Sequence, residues 1–307
     1  TSATKAARWP TRHTPVAPGD PRAVMSSPAS LPKEIQRSAE RGELQKVVKW
    51  LRKGGAVDAF GSVTTQAGRV IAATLLHSAA SNGQLEMVRE LLKRGASVDL
   101  PSSLGGTALE DAADHGHLPI VLVLLQRSAN PDLQDIYGQT ALVLAADHGH
   151  EACVQALLQA KANPDLQANS GLTALMGAAI CGHEACVKAL LRAKANTELQ
   201  GTNGITTLMG AAVNGHEACV QALLQAKANP DLPDNGGITA LMATAIGGHK
   251  ACVKALLQAK ANTELLTDGG RTALHYAEFM GHTATAQLIR QHAAPPQPAA
   301  TVEAAQA

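Results

Sequence analysis

From Gly83 to Gly281 a glycine returns every 33 residues, at Gly83, Gly116, Gly149, Gly182, Gly215, Gly248 and Gly281, and Gly42 opens the series one unit earlier, behind an insertion. A period of this length restricts the chain to a solenoid in which each unit buries its apolar face only against its neighbours.

The fourth unit shows what one period encodes. Thr140 predicts a helix N-cap, because its hydroxyl can accept from an amide two or three residues on. Leu142, Ala145 and Ala146 follow at spacings of three and four, so they share a face, and Gly149 ends that short helix. A second helix is predicted over about 150–160, with Val154, Leu157 and Leu158 as its buried stripe and Gln155 and Gln159 facing water. Asn163-Pro164-Asp165-Leu166 stops it, since proline cannot continue a helix. Small side chains such as Ala145, Ala146 and Ala156 let thin layers pack closely, which accounts for an aromatic content of only 2%.

These residues carry a resemblance. The pattern Thr-x-Leu, Ala-Ala, Gly-His, Val, Leu-Leu resembles the ankyrin repeat over residues 32–294. Thr107, Thr140, Thr173, Thr206, Thr239 and Thr272 each precede a Leu by two residues, and His117, His150, His183, His216, His249 and His282 each follow a glycine. The resemblance implies an all-α solenoid of eight stacked helix-turn-helix units joined by short hairpin-like loops. The chain departs from the family in three ways. The family proline is Ala or Thr (Ala141, Ala174, Thr207, Ala240), the family histidine stands only at His77 and His275, and the glycine ending the second helix is Lys161, Lys194, Lys227 or Lys260. A left-handed Lys costs roughly 1 kcal/mol relative to Gly. The expectation is therefore that Asn163, Asn196, Asn229 and Asn262, which tolerate that region better, take the left-handed angles instead.

The ends read as polar caps. Residues 33–41 (KEIQRSAER) replace the Thr-x-Leu pattern with outward charges, and residues 283–292 (TATAQLIRQH) are polar on the outer side. Residues 1–31 and 295–307, rich in Pro, Ala, Ser and Gln, read as disordered. The chain begins at Thr1, which is compatible with a fragment or a gene-model extension in which Met25 is the start, and the acid-poor, Arg-bearing N-terminus is compatible with an organelle transit segment.

Composition narrows the function. A net charge of +1 offers no broad footprint for nucleic acid or an anionic membrane, and no apolar run approaches the ~20 residues of a span. Cys153, Cys186, Cys219 and Cys252 recur on the second helix and read as small core residues. Spaced by one unit, about 10 Å, they are too far apart for disulfides. Free thiols suit the cytosol or the nucleus. No enzyme is expected: Walker, kinase, nucleophile-elbow and zinc-protease patterns are missing, and no cofactor or metal is predicted. The pairs Asp114-His115 and Asp147-His148 invite a metal or acid–base reading, but recurrence of the Gly-His step is explained structurally, by a family histidine that ties turns together.

What remains is binding, and the units can be compared with one another. Residues 149–166 recur identically at 215–232, and 182–199 recur with two changes at 248–265. Variation collects at loop tips and first-helix ends, which the resemblance places on the concave recognition surface: Ile136, Tyr137, Gln139, Asp147 and His148; Asn169, Ser170, Leu172, Ile180 and Cys181; Thr202, Asn203, Ile205, Val213 and Asn214; Asn235, Ile238 and Ile246; Arg271, Phe279 and Met280. Leu172, Ile205 and Ile238, flanked by Ile180, Val213 and Ile246, predict an exposed apolar stripe gripping a partner peptide or helix, with Tyr137 and Phe279 as aromatic anchors. Duplication of one lightly buried aliphatic is the alternative. Between Asp58 and Thr74 the chain takes sixteen steps where other units take eight, so residues 59–73 form a lengthened finger, either a partner contact or an idle loop. The expected function is a monomeric, non-catalytic scaffold or adaptor for a protein partner, with a substrate-recruiting arm of a larger signalling, ubiquitin-ligase or membrane-associated protein as the alternative.

Overall fold

A computed structural model of the chain describes residues 30–64 and 68–293. Within them sixteen α-helices form eight antiparallel pairs: α1 (Lys33–Glu40) with α2 (Leu44–Arg52), α3 (Leu75–Ser81) with α4 (Leu85–Lys93), α5 (Ala108–Asp114) with α6 (Leu118–Gln126), α7 (Ala141–Asp147) with α8 (Glu151–Gln159), α9 (Ala174–Ile180) with α10 (Glu184–Arg192), α11 (Thr207–Val213) with α12 (Glu217–Gln225), α13 (Ala240–Gly247) with α14 (Lys250–Gln258), and α15 (Ala273–Phe279) with α16 (Thr283–His292). Odd-numbered helices pack on one another as an inner row and even-numbered ones as an outer row. From the third pair onward the same joint recurs because the sequence repeats the same residues.

Each inner helix from α7 onward starts at a threonine cap: Val143 N–H donates to Thr140 Oγ1 over 3.2 Å, and Thr173, Thr206, Thr239 and Thr272 do the same. The core is continuous from Leu31 to Ile289 and is built of Leu, Val and many Ala. Cys153, Cys186, Cys219 and Cys252 are buried free thiols in it, and burial pushes the last three up to about 11, which keeps them protonated and inert. Leu158, expected in the buried stripe of α8, is half-buried, while Cys153 and Ala156 complete the stripe instead.

Three hydrogen-bond ladders tie the units. On the inner side, Nε2 of His117, His150, His183, His216, His249 and His282 donates over 2.9–3.1 Å to the carbonyl of Ser81, Asp114, Asp147, Ile180, Val213 and Ile246, in each case one unit back. A carbonyl only accepts, so each Nε2 carries its proton. Where the second unit lacks the histidine, Gln84 Nε2 makes the equivalent bond to the Glu40 carbonyl at 3.0 Å. On the loop side, Asp132, Asp165 and Asp231 accept from the backbone N–H of Asn163, Asn196 and Asn262 over 2.8 Å, and Glu198 accepts from Asn229 over 3.1 Å. At the fingertips, Ile136, Asn169, Thr202, Asn235 and Asp268 each donate a backbone N–H to the preceding finger.

The loop ladder corrects one expectation. Lys161, Lys194, Lys227 and Lys260 take the left-handed angles, with φ between 63° and 69°, and the asparagines do not. The helix closes with Lys161 N–H on Leu158 O and Ala162 N–H on Leu157 O, both 3.0 Å, a Schellman pattern that demands the left-handed residue at 161. Asn163 is already committed, its N–H to Asp132 and its side-chain oxygen to Asp165 N–H at 3.0 Å. The lysine therefore bears the strain.

The inserted segment is an antiparallel hairpin, β1 (Phe60–Thr64) paired with β2 (Val70–Thr74), the register running from Phe60–Thr74 to Thr64–Val70. It leans along the stack: Ser103 N–H donates to Ala72 O over 2.8 Å, and Ala72 N–H to Ser103 Oγ over 2.9 Å. The segments read as disordered tails lie outside the described residues, apart from 30–31 at the N-terminal end. At the first unit Lys33, Glu34, Arg37 and Arg41 are exposed around a buried Ala39.

Candidate functional site

The inner helices and the fingers frame one long face. Consecutive units contact each other along it, as shown by Cys181 Sγ donating to Asp147 Oδ1 at 3.5 Å and by Ile180 lying where a Cβ on Gly210 would sit, 2.7 Å away. The last residue or two of the inner helices form a column, Asp114, Asp147, Ile180, Val213, Ile246 and Phe279, that changes from acidic to aliphatic to aromatic along the stack. Beside it run His115, His148, Cys181, Asn214, Gly247 and Met280, and on the finger side Gln139, Leu172, Ile205, Ile238 and Arg271.

The acidic end is electrostatically coupled. His148 Nδ1 lies 3.0 Å from Asp114 Oδ1 and 3.1 Å from the Leu144 carbonyl; both partners accept, so Nδ1 is protonated. The hydrogen bond to Asp114 pushes His148 up to about 9, against a smaller opposing effect of burial. Asp111, one turn before Asp114, is pushed up to about 8 by burial, reinforced by Asp114's charge. Glu110 is buried in the capping box of Thr107 and is likewise raised to about 8, by burial first and Asp135 second. Asp135 itself is raised by burial while accepting from Tyr137 and Gln139 N–H, both at 2.8 Å. No group of three or more His, Cys, Asp or Glu able to hold a metal occurs among the described residues.

The aliphatic stretch differs from the sequence expectation. Leu172, Ile205, Ile238, Ile180, Val213 and Ile246 are all half-buried, and Ile205 and Ile238 pack against the core. Phase assigns them to the correct face, but each is partly covered by its neighbours. The strongly exposed apolar side chains of this face lie at its far end, Phe279 at 60% and Met280 at 45%, next to the Leu266 loop at 60%, and at Ile136 at 39%. Tyr137, expected as an open anchor, is half-buried and engaged: Arg69, from the inserted hairpin, donates to its hydroxyl and lies 5.8 Å from its ring centre. Arg69 is the residue that sequence reasoning passed over, since nothing local marks a partner 68 positions away. The remaining candidates, Asn169, Ser170, Thr202, Asn203 and Asn235, are exposed fingertips, of which Asn203 is left-handed at φ 66°.

Comparison with known proteins now bears on this geometry. The family profile described as ankyrin repeats (3 copies) matches residues 35–135, 127–203 and 208–298, and the chain belongs to the ankyrin repeat family. Among solved structures it is similar to the human ASB11 ankyrin repeat domain, at 27% identity and a TM-score of 0.65, over 72% of this chain and 99% of that one. No curated protein matches. Ankyrin repeats are in general protein–protein interaction modules, a non-catalytic fold. No helix among the described residues is long and apolar enough to cross a membrane.

Proposed function

We propose that this chain is a non-catalytic scaffold or adaptor that receives a segment of a partner protein along the inner face between fingers and inner helices. One observation carries the reading. The outer helices of the fourth to seventh units are near copies, whereas the accessible inner positions of the same units change, Asp147 to Ile180 to Val213 and His148 to Cys181 to Asn214. Stacking alone asks nothing different of these positions. The protein acts as a monomer in the cytosol or nucleus, a placement supported by its free buried thiols.

The test is affinity capture with the whole chain beside the Asn214→Arg, Phe279→Asp double variant. Both side chains are exposed, so these charges leave the core intact, unlike substitutions at Ile205 or Ile238. Proteins retained by the parent and lost by the variant, with helicity unchanged in circular dichroism, are the expected result. Identical capture by both would remove the inner face from consideration.

A further inference from the structure

We propose that the fingers of the seventh and eighth units form a binding site for a side-chain primary amide, a glutamine or asparagine of a partner segment that also lays an apolar residue on Leu266. The inference goes beyond the inner-face reading and does not depend on it.

The chain itself supplies the ligand chemistry three times. Besides the ladders described above, Gln134 Nε2 donates to the carbonyl of Gly138 on its own finger at 2.6 Å and to that of Gln167 on the next at 3.1 Å. Gln167 repeats the pair of bonds on Gly171 at 2.8 Å and Gln200 at 3.0 Å, and Gln200 repeats it on Gly204 at 2.8 Å and Pro233 at 2.9 Å. A primary amide suits such a pair because its nitrogen carries two N–H donors, one for each carbonyl.

At position 233 the series stops, since proline has no side-chain donor. The acceptors nevertheless keep their places. Asp268 N–H donates to Gly236 O over 3.1 Å, as Asn235 does to Asn203 O over 2.9 Å one unit earlier. Thr267 N–H closes its finger on Arg271 O at 3.0 Å, as Gly201 does on Ile205 O at 2.9 Å. Leu266 O lies 3.2 Å from where a Cβ on Gly237 would sit, so the two fingers meet at this carbonyl. No donor among the described residues reaches Gly237 O or Leu266 O. The carbonyl pair that three preceding units bridge with an amide is thus left for a donor from outside the stack.

The surroundings favour a neutral group with an apolar neighbour. Where the fourth to sixth units carry glutamine, the eighth carries Leu266, whose side chain is 60% exposed. Asp268 and Arg271 stand exposed on the same finger with opposite signs, so neither a cation nor an anion gains net attraction there. The third unit also has proline in place of the glutamine, Pro101, but the equivalent position one unit on is Gln134, already bonded, rather than an exposed leucine.

The recognition element is short, because an extended chain crosses the roughly 10 Å between neighbouring units in about three residues. The experiment is therefore selection of displayed random peptides about 7 residues long on the full chain. Fluorescence-anisotropy affinities of the enriched peptides follow, for the parent, Pro233→Gln and Pro101→Gln. NMR of the amide introduced by Pro233→Gln checks that it donates as the other three do. Expected are peptides with Gln or Asn beside an aliphatic residue. Replacing that Gln by Glu, which keeps the shape and loses the donors, should weaken them about fivefold to tenfold. Pro233→Gln should abolish binding by supplying the amide from within, and Pro101→Gln should leave it unchanged. Peptides that still bind Pro233→Gln, that tolerate Glu or that Pro101→Gln weakens equally would overturn the inference. So would an introduced amide that does not donate, or no enriched peptide at all; each of these results leaves the inner-face reading to its own capture test.

Discussion

The imidazole of His216 stands over Gly182, 2.6 Å from where a Cβ on that glycine would sit, while its Nε2 reaches the Ile180 carbonyl at 3.0 Å. The periodic glycine is therefore required twice, for its left-handed backbone and for the absence of a side chain beneath the next unit's histidine.

Gly281 provides the control, because it has the same left-handed backbone (φ +76°, against +78° at Gly182) and nothing within 4 Å of its absent Cβ. Gly281→Ala should cost about 1 kcal/mol for the backbone alone. Gly182→Ala should cost about 1–2 kcal/mol more, since it also displaces the ring and its inter-unit bond. Urea denaturation of the two variants decides; equal losses would mean that the ring moves aside freely.

At the outer turn, Lys194→Gly should stabilise the protein by about 1 kcal/mol by relieving a left-handed lysine, whose φ is 63°. Asn196→Gly should do the reverse, removing the oxygen that accepts from Glu198 N–H at 2.9 Å. Opposite shifts in the denaturation midpoint are expected, and a stabilising Asn196→Gly would contradict the assignment of strain.

The acidic end predicts a pH profile. His148 has a folded pKa of about 9 against 6.5, so its stabilisation is complete below 6.5 and disappears as pH rises through 9. Asp111 and Glu110, raised to about 8 from 3.8 and 4.5, favour their neutral forms in the fold, so they too withdraw stability as pH climbs from those values to 8. His77, lowered to about 4 by burial, is neutral throughout that range and contributes no slope above 6.5. Stability should therefore fall steadily between pH 6.5 and 9. An NMR titration should place His148 near 9 in the parent and lower in Asp114→Asn; an unchanged value in the variant would remove Asp114 as the cause.

For the inserted hairpin, Arg69→Ala should increase hydrogen exchange at 70–74 by about fivefold, because a hydrogen bond and a cation–π contact worth about 1 kcal/mol together pin that strand toward Tyr137. Mass spectrometry reads the exchange, and unchanged rates would show that the bonds of Ser103 to Ala72 and of Leu31 to Phe60 secure the hairpin without Arg69.

How much of this is legible in sequence follows from the range of each interaction. Thr140 capping and the Gly-His step are local or strictly periodic, and both are read correctly from residue types. The left-handed lysine is misread because local tolerance favours Asn163, whereas Asp132, 31 residues earlier, binds that asparagine's N–H. Phase places Ile205 and Ile238 on the right face, but how far neighbouring side chains cover them depends on packing that a one-dimensional period does not contain. Arg69 on Tyr137 is invisible for the same reason.

The histidine bonds all run one way, each unit holding the end of the inner helix before it. Among the described residues Gly281 has no ring above it, so a tether pulling on the C-terminal end of the described stack meets its last unit first, and each unit that peels away strips the clasp from the one before it. Force would then be released in equal steps from that end. At 3.3–3.6 Å per extended residue, each step of 33 residues would lengthen the chain by about 110 Å, so the stack would yield to a pull in graded steps.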